Sequence, residues 1–145
     1  RSCMNSLLVL ADDLTGALDS AGRLARPGRP VPVRINLADS GEDGPVGVLD
    51  LHTRHAVLET IRVRVLQAAA SAREGGVDTL YLKLDSTLRG PIGESILAAR
   101  MGWQTASILF CPAFPAQGRT VALKIQRPGI DKVIAADLAI LKDLA

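Results

Sequence analysis

The chain has 145 residues, 48% of them apolar and 22% charged, and a net charge of +2. That length suits one domain able to bury about two-thirds of its unfolded surface, and the composition is that of a globular chain rather than a disordered one. The charge is too small, and aromatics too sparse among the basic residues, for a nucleic-acid binder; no apolar run approaches membrane-spanning length.

With one Trp, one Tyr and two Phe, the core must be built from Val, Leu, Ile and Ala, which suits a parallel sheet wrapped by Ala-rich helices. Leu7 to Ala11 reads as a buried strand. Gly16 to Ala25 follows as a helix with Leu14, Ala17, Leu18, Ala21 and Leu24 on one face. Gly28 is its expected cap, and Pro27 and Pro30 forbid continuation. Val31 to Leu37 is a second strand, placed at a sheet edge by its prolines, and Val46 to Leu51 a third. Val57 to Arg73 is a long helix burying Leu58, Ile61, Val65, Ala69 and Ala72, ended by Gly75 and Gly76. Thr79 to Leu84 is a fourth strand. Pro91 fits the first turn of a helix whose Ile92, Ile96, Ala99 and Trp103 share a face, and Ala106 to Cys111 is a fifth strand. This alternation predicts an α/β fold, a doubly wound (Rossmann-like) parallel sheet of about five strands. Cys3 and Cys111, the latter expected as a buried free thiol, fit a reducing compartment, and with no signal peptide visible the expectation is a soluble, cytoplasmic protein.

Ligands of open parallel sheets bind beyond the carboxyl ends of the strands. Here those ends read ADDLTG, DLHTRH, KLDSTLRG and CPAFPAQGR, all polar or turn-forming. In ADDLTG, a helix cap accounts for one Asp; the pair Asp12–Asp13 also suits magnesium binding or a base for a hydroxyl. In DLHTRH, Arg54 reads either as the local ion-pair partner of Asp50 or as a fork for a carboxylate or phosphate. His52 and His55 lack a third ligand at metal-site spacing and read as solvated. KLDSTLRG is the densest segment: Lys83 and Arg89 are cationic, Asp85 can orient them, Ser86 and Thr87 donate, and Gly90 closes the turn. Read as structure alone, it is a capped turn with Ser86 as N-cap, which leaves Lys83 unexplained, since a lysine in a buried strand must reach a partner or the surface. Arg119 is a weaker anion ligand.

Together, ADDLTGALDSA, DLHTR, LKLDSTLRGPIGESI and CPAFPAQGRTV resemble the four-carbon acid sugar kinases (tetronate and threonate kinases), over about residues 7–121 and in the region of their N-terminal, substrate-binding domain. The resemblance implies phosphorylation of the terminal hydroxyl of a four-carbon sugar acid with ATP and Mg2+, the nucleotide being held by a separate C-terminal domain. It implies that Asp13, with Asp12, orients or deprotonates the hydroxyl. Arg54, Lys83, Ser86 and Arg89 would hold the carboxylate and hydroxyls, and Asp85 would orient Lys83 or take a hydroxyl; Thr87 and Gly90 complete the substrate-binding set. Pro91 departs from the pattern, which has Asn there.

The expected organisation is a sugar-acid-binding domain over 1–120 and an extension over 121–145. In that extension Ile134, Leu138, Leu141 and Ala145 share a helical face. The extension, VALKIQRPGIDK and onward, resembles a fragment of UbiB-like atypical kinases, Lys124 standing where those carry a phosphate-contacting lysine, as in a chimera. No nucleotide domain is evident, so the expectation is a binding unit without turnover, its partners a sugar acid, the missing nucleotide domain and a second copy of itself in a homodimer. The alternatives are a non-catalytic scaffold and a receiver-like signalling domain, whose acidic positions Asp12, Asp13 and Asp50 would match but whose Lys-Pro after the fifth strand is here Cys111-Pro112.

Overall fold

A computed structural model describes residues 6–35, 37, 44–113 and 118, together with the backbone of 123–126. Its elements are β1 (Leu7–Ala11), α1 (Leu14–Leu24), β2 (Val33–Arg34), β3 (Val46–Asp50), α2 (Leu58–Glu74), β4 (Thr79–Lys83), α3 (Ile92–Trp103), β5 (Ser107–Phe110) and β6 (Leu123–Gln126). β1 to β4 form a parallel sheet in the order β2-β3-β1-β4. β2 lies at an edge, as its flanking prolines predict, and is two residues long because Pro30 and Pro32 can donate no ladder bonds.

Each central strand is buried on both faces, and the period-two alternation divides the core. Leu8, Leu10 and Leu49, with Leu51 just beyond β3, pack against α2 and α3 through Ile61, Val65, Ala68, Ala69, Ala72, Ala98 and Ala99. Val9, Ala11 and Val48 pack against Ala17 and Ala21 of α1. Helices on both faces make the sheet doubly wound. Small residues let them come close: a Cβ on Gly102 of α3 would lie 2.3 Å from the Leu66 carbonyl oxygen of α2. Gly76, at φ +76°, reverses the chain after α2, and the Val77 amide closes the helix end on the Ala72 carbonyl.

Several expectations need correction. β5 is not the fifth strand of the parallel sheet. It pairs antiparallel with β6 (Ile108 opposite Ile125), so its backbone groups are satisfied by a segment that the sequence pattern had assigned to a foreign tail. β4 is therefore an edge strand among the described residues. Cys111, just beyond the ribbon, is exposed rather than buried. On α1 only the small side of the predicted face is buried (Gly16, Ala17, Ser20 and Ala21), while Leu14 and Leu18 are exposed. Leu24, at the end of the helix, is partly buried against the same cluster as Ala17 and Ala21. Leu58, the first residue of α2, is exposed as Leu14 and Leu18 are. Ala25, not Gly28, caps α1; Gly28 serves the turn joining Arg26 to Arg29. The helix predicted from Ile134 to Ala145 lies outside the described residues, as do Cys3 and Arg119.

Candidate functional site

The register puts Ala11 beside Asp50 on one side and Lys83 on the other. The segments following β1, β3 and β4 therefore rise from one sheet edge, side by side. The Asp12 backbone knits them together: its amide donates to the Lys83 carbonyl (3.1 Å), and its carbonyl accepts from the amides of Thr53 (2.8 Å) and Arg54 (3.0 Å).

The segment after β3 has to turn sharply to deliver Arg54 onto β1. Asp50, buried, accepts the His52 amide at 2.9 Å through Oδ1, an Asx-type turn that places His52 at φ +50°. Asp50 thus shapes the turn, and the local ion pair with Arg54, one of the two readings of this segment, is not formed. Arg54 instead crosses to the β1 segment. Its Nε and Nη2 form a fork on the two Asp12 oxygens (3.0 and 2.9 Å), and Nη1 donates to Asp13 Oδ2. Nη2 also lies 3.9 Å from Asp85 Oδ1. Asp13 caps α1, its Oδ1 accepting the Gly16 amide at 2.8 Å, as a helix-start aspartate should. All four oxygens of Asp12 and Asp13 therefore accept from Arg54 or Gly16. A magnesium ion at this pair would have to share its oxygens with the guanidinium, whose positive charge opposes it. His52 and His55 are exposed, and no cluster of three or more metal-ligand side chains exists among the described residues.

Lys83 ends β4 half-buried. Its Nζ donates to the Leu84 carbonyl (3.0 Å), and its side chain runs beside Gly16, where a Cβ would stand 3.5 Å from Lys83 Cγ and 3.6 Å from Nζ. The lysine thus lies against the start of α1, while the close approach that favours glycine at position 16 is to Asp13 Oδ1, 3.0 Å from where a Cβ would stand. Asp85 is buried and gathers its own loop: it accepts Thr87 Oγ1 at 2.5 Å, the Arg89 amide at 3.1 Å, and Arg89 Nε and Nη2 at 2.6 and 3.2 Å. The Arg89 hydrogen bonds, helped by Thr87 and by the charge of Arg54, hold the Asp85 carboxyl well below the usual carboxylate range against the opposing effect of burial. Arg54 is held further above its ordinary value, first by its hydrogen bond to Asp12 and despite desolvation.

The loop is strained at Leu88, which sits at φ +60° with its side chain buried against Ile92 and Ile96; at Gly90, φ +84°, glycine avoids strain, since a Cβ there would stand 3.0 Å from the Arg54 carbonyl oxygen. A left-handed leucine costs about 1–3 kcal/mol and persists only where its surroundings hold it. Ser86 is exposed and is not a helix cap, because α3 begins at Ile92 behind Pro91. Asp12, Asp13, Arg54, Lys83, Asp85, Thr87, Arg89 and Gly90 are thus brought onto one crest with Ser86 at its rim. Thr53, almost fully buried and donating its amide to the Asp12 carbonyl, was not singled out from the sequence. Its position in DLHTR offered no signal beyond proximity.

A cavity of about 570 Å³ lies beside the crest and meets it at Lys83, Asp85 and Ser86. Its walls are otherwise largely apolar (Leu80, Leu82, Ile96, Trp103, Ile108 and Phe110), the space between the outer edge of β4 and β5. A polyhydroxylated ligand buried there would leave hydroxyls unpaired, so the polar crest is the better candidate.

A doubly wound α/β unit with carboxylates and cations gathered at its strand ends is the frame of a small-molecule binding domain. A family model described as "Sugar-binding N-terminal domain" matches residues 7–127, and the chain belongs to that family. It is 36% identical over 120 residues to a D-threonate kinase of Bordetella bronchiseptica, a match covering 78% of this chain and 30% of the relative. It is 35% identical over 121 residues to a 3-oxo-tetronate kinase of Salmonella typhimurium, covering 78% of this chain and 28% of the relative. A crystal structure of a domain of unknown function from B. bronchiseptica, a domain-swapped dimer with bound citrate, superposes with a TM-score of 0.70 at 34% identity, covering 90% of this chain and 35% of that one. The chain spans less than a third of the length of either kinase. The family match continues past residue 121 into the segment read as UbiB-like, and that second resemblance has no support in these matches.

Proposed function

We propose that the crest binds a four-carbon sugar acid, and that the chain is the substrate-binding part of an ATP-dependent kinase that phosphorylates the terminal hydroxyl of a tetronate or threonate. The observation that carries this is the juxtaposition of three carboxylates (Asp12, Asp13, Asp85) with three cations (Arg54, Lys83, Arg89) on adjacent strand ends. Carboxylates accept from a polyol and cations take an acid group. The family description names a sugar-binding domain, the kinases named above act on sugar acids, and the structural relative holds citrate, itself a hydroxy acid. These findings favour this reading over a receiver domain or a ligand-free scaffold.

In that role Asp13, the more exposed of the pair, orients or deprotonates the attacking hydroxyl. Lys83, Ser86, Thr87 and Arg89 contact the substrate around it. ATP and Mg2+ supply the phosphoryl group and its charge neutralisation. No residue on the crest is assigned to them, and they come with the nucleotide-binding part of the kinase, so residues 1–120 by themselves bind without turning over. Positioning and electrostatics dominate phosphoryl transfer, and a prearranged crest of this kind suits that task. A homodimer, like the swapped dimer of the structural relative, belongs to the same proposal, as does a cytoplasmic location.

The test is thermal unfolding of the chain against threonate, erythronate and 3-oxo-tetronate stereoisomers, with Asp13→Asn and Arg89→Ala alongside. Ligand at a hundredfold excess over its dissociation constant adds about 2.7 kcal/mol, a visible rise in Tm. The expected result is a stereospecific rise lost in both variants. A cooperative transition that no sugar acid moves would refute the proposal.

A further inference from the structure

Arg54 would be the obvious anion ligand of such a site, yet three of its five N–H donors are already committed to carboxylates. Nε and Nη2 are spent on Asp12, Nη1 reaches Asp13, and Nη2 faces Asp85 as well. The guanidinium is largely enclosed, with 13% of its side-chain surface exposed. The Gly90 loop closes over its backbone. To grip a substrate carboxylate with the fork of Nε and Nη2, Arg54 would have to release Asp12, leaving that buried carboxylate unpaired.

Lys83 has the opposite character. Its Nζ donates to a neutral carbonyl, and among the described residues no carboxylate lies within ion-pair distance of it. It lies against the first turn of α1 beside Gly16, so an anion arriving there meets an ammonium whose charge is not already neutralised by a partner.

We propose that Arg54 is a positioning residue for the sugar-acid site, fixing Asp12 and Asp13 to receive substrate hydroxyls, while Lys83 takes the acid group. The inference rests on the sugar-acid reading. It divides recognition in two: an arginine-clamped acidic pair reads the polyol, which is common to a sugar acid and its neutral derivative, and the lysine reads the charge.

The experiment compares binding of threonate and of its neutral primary amide, threonamide, by NMR titration of the chain. Wild type, Arg54→Ala, Arg54→Lys and Lys83→Met are measured in parallel. Loss of a charge-assisted hydrogen bond weakens binding by about tenfold to a hundredfold. The expected result is that both Arg54 variants weaken acid and amide by the same factor, while Lys83→Met weakens the acid and leaves the amide unchanged. Should Arg54→Ala fail to fold, Arg54→Lys carries the comparison, since it keeps the charge and loses the fork. An Arg54 effect confined to the acid would overturn the inference while leaving the sugar-acid reading intact. Wild-type chain that binds neither compound would overturn both.

Discussion

Asp12 and Asp85 look interchangeable by burial. Each is 6% exposed, and each receives an arginine fork at its carboxylate. Their arginines differ. Arg54 comes from 42 residues away, out of the segment after β3, and keeps 13% of its side-chain surface exposed; Arg89 is four residues from Asp85 in the same loop and keeps 66%. The first pair is a tertiary clamp that ties β1 to the segment beyond β3. The second is a local knot that shapes one loop and would persist wherever that loop folds. The same chemistry therefore carries two loads: removing Arg54 should be felt by the whole fold, removing Arg89 by the loop and its titration.

Arg54→Met gives the largest contrast. Breaking a buried pair from one side costs about 3 kcal/mol, because Asp12 is left charged with no cation facing it. Arg54→Met with Asp12→Leu should recover much of that loss, since a buried ion pair is often replaceable by hydrocarbon of similar volume. Urea unfolding of the two single variants and the double measures the coupling. Simple additivity of the single losses would deny the clamp. Arg89→Ala in the same series is expected to leave the midpoint close to wild type, because most of the Arg89 side chain is in water.

Asp13→Ala is intermediate. It removes the cap on α1 and one partner of Arg54, while the Asp12 fork remains. The expected loss is about 1 kcal/mol, the ordinary value of an N-cap. Asp13→Ser, which can still accept the Gly16 amide, should restore most of it. If serine recovers nothing, the contribution of Asp13 runs through Arg54 rather than through the helix.

The difference between the two pairs also marks how far the amino-acid order could be read. The Asp85 loop was legible: Asp85 was expected to orient cations nearby, and a contact four residues long shows in the chain. The Arg54 clamp was not. Asp50 lay four residues from Arg54 and was the natural local candidate, but its side chain is used in turning the chain at His52, and only the adjacency of β1 and β3 brings Arg54 to Asp12. The sheet followed the same rule. β1, β3 and β4 were recognised by their apolar runs, and α2 and α3 by their period. β5 was recognised as a strand and assigned to the wrong sheet, because pairing depends on a partner, β6, which gave no sign of belonging with it. Leu14 and Leu18 mark a similar limit: periodicity gave the helix, while which side of it the sheet covers, Gly16, Ala17, Ser20 and Ala21, is a tertiary quantity.

The finest distinction between the pairs is electrostatic and appears at low pH. Asp85 is held below the usual carboxylate range in the folded chain, chiefly by Arg89. A carboxyl whose folded pKa is depressed contributes stability that is present above its unfolded value, near about pH 4, and is lost as pH falls toward the folded value. Arg89→Ala removes the main cause of that depression and with it the contribution. Wild type should therefore exceed Arg89→Ala by a small margin at pH 7, and the margin should shrink below about pH 4 as Asp85 takes up its proton in both chains. Urea midpoints from pH 7 to pH 2 measure it. A margin that stays constant across that range would mean that Arg89 acts through the packing of its alkyl stem, and the knot around Asp85 would then be steric rather than ionic.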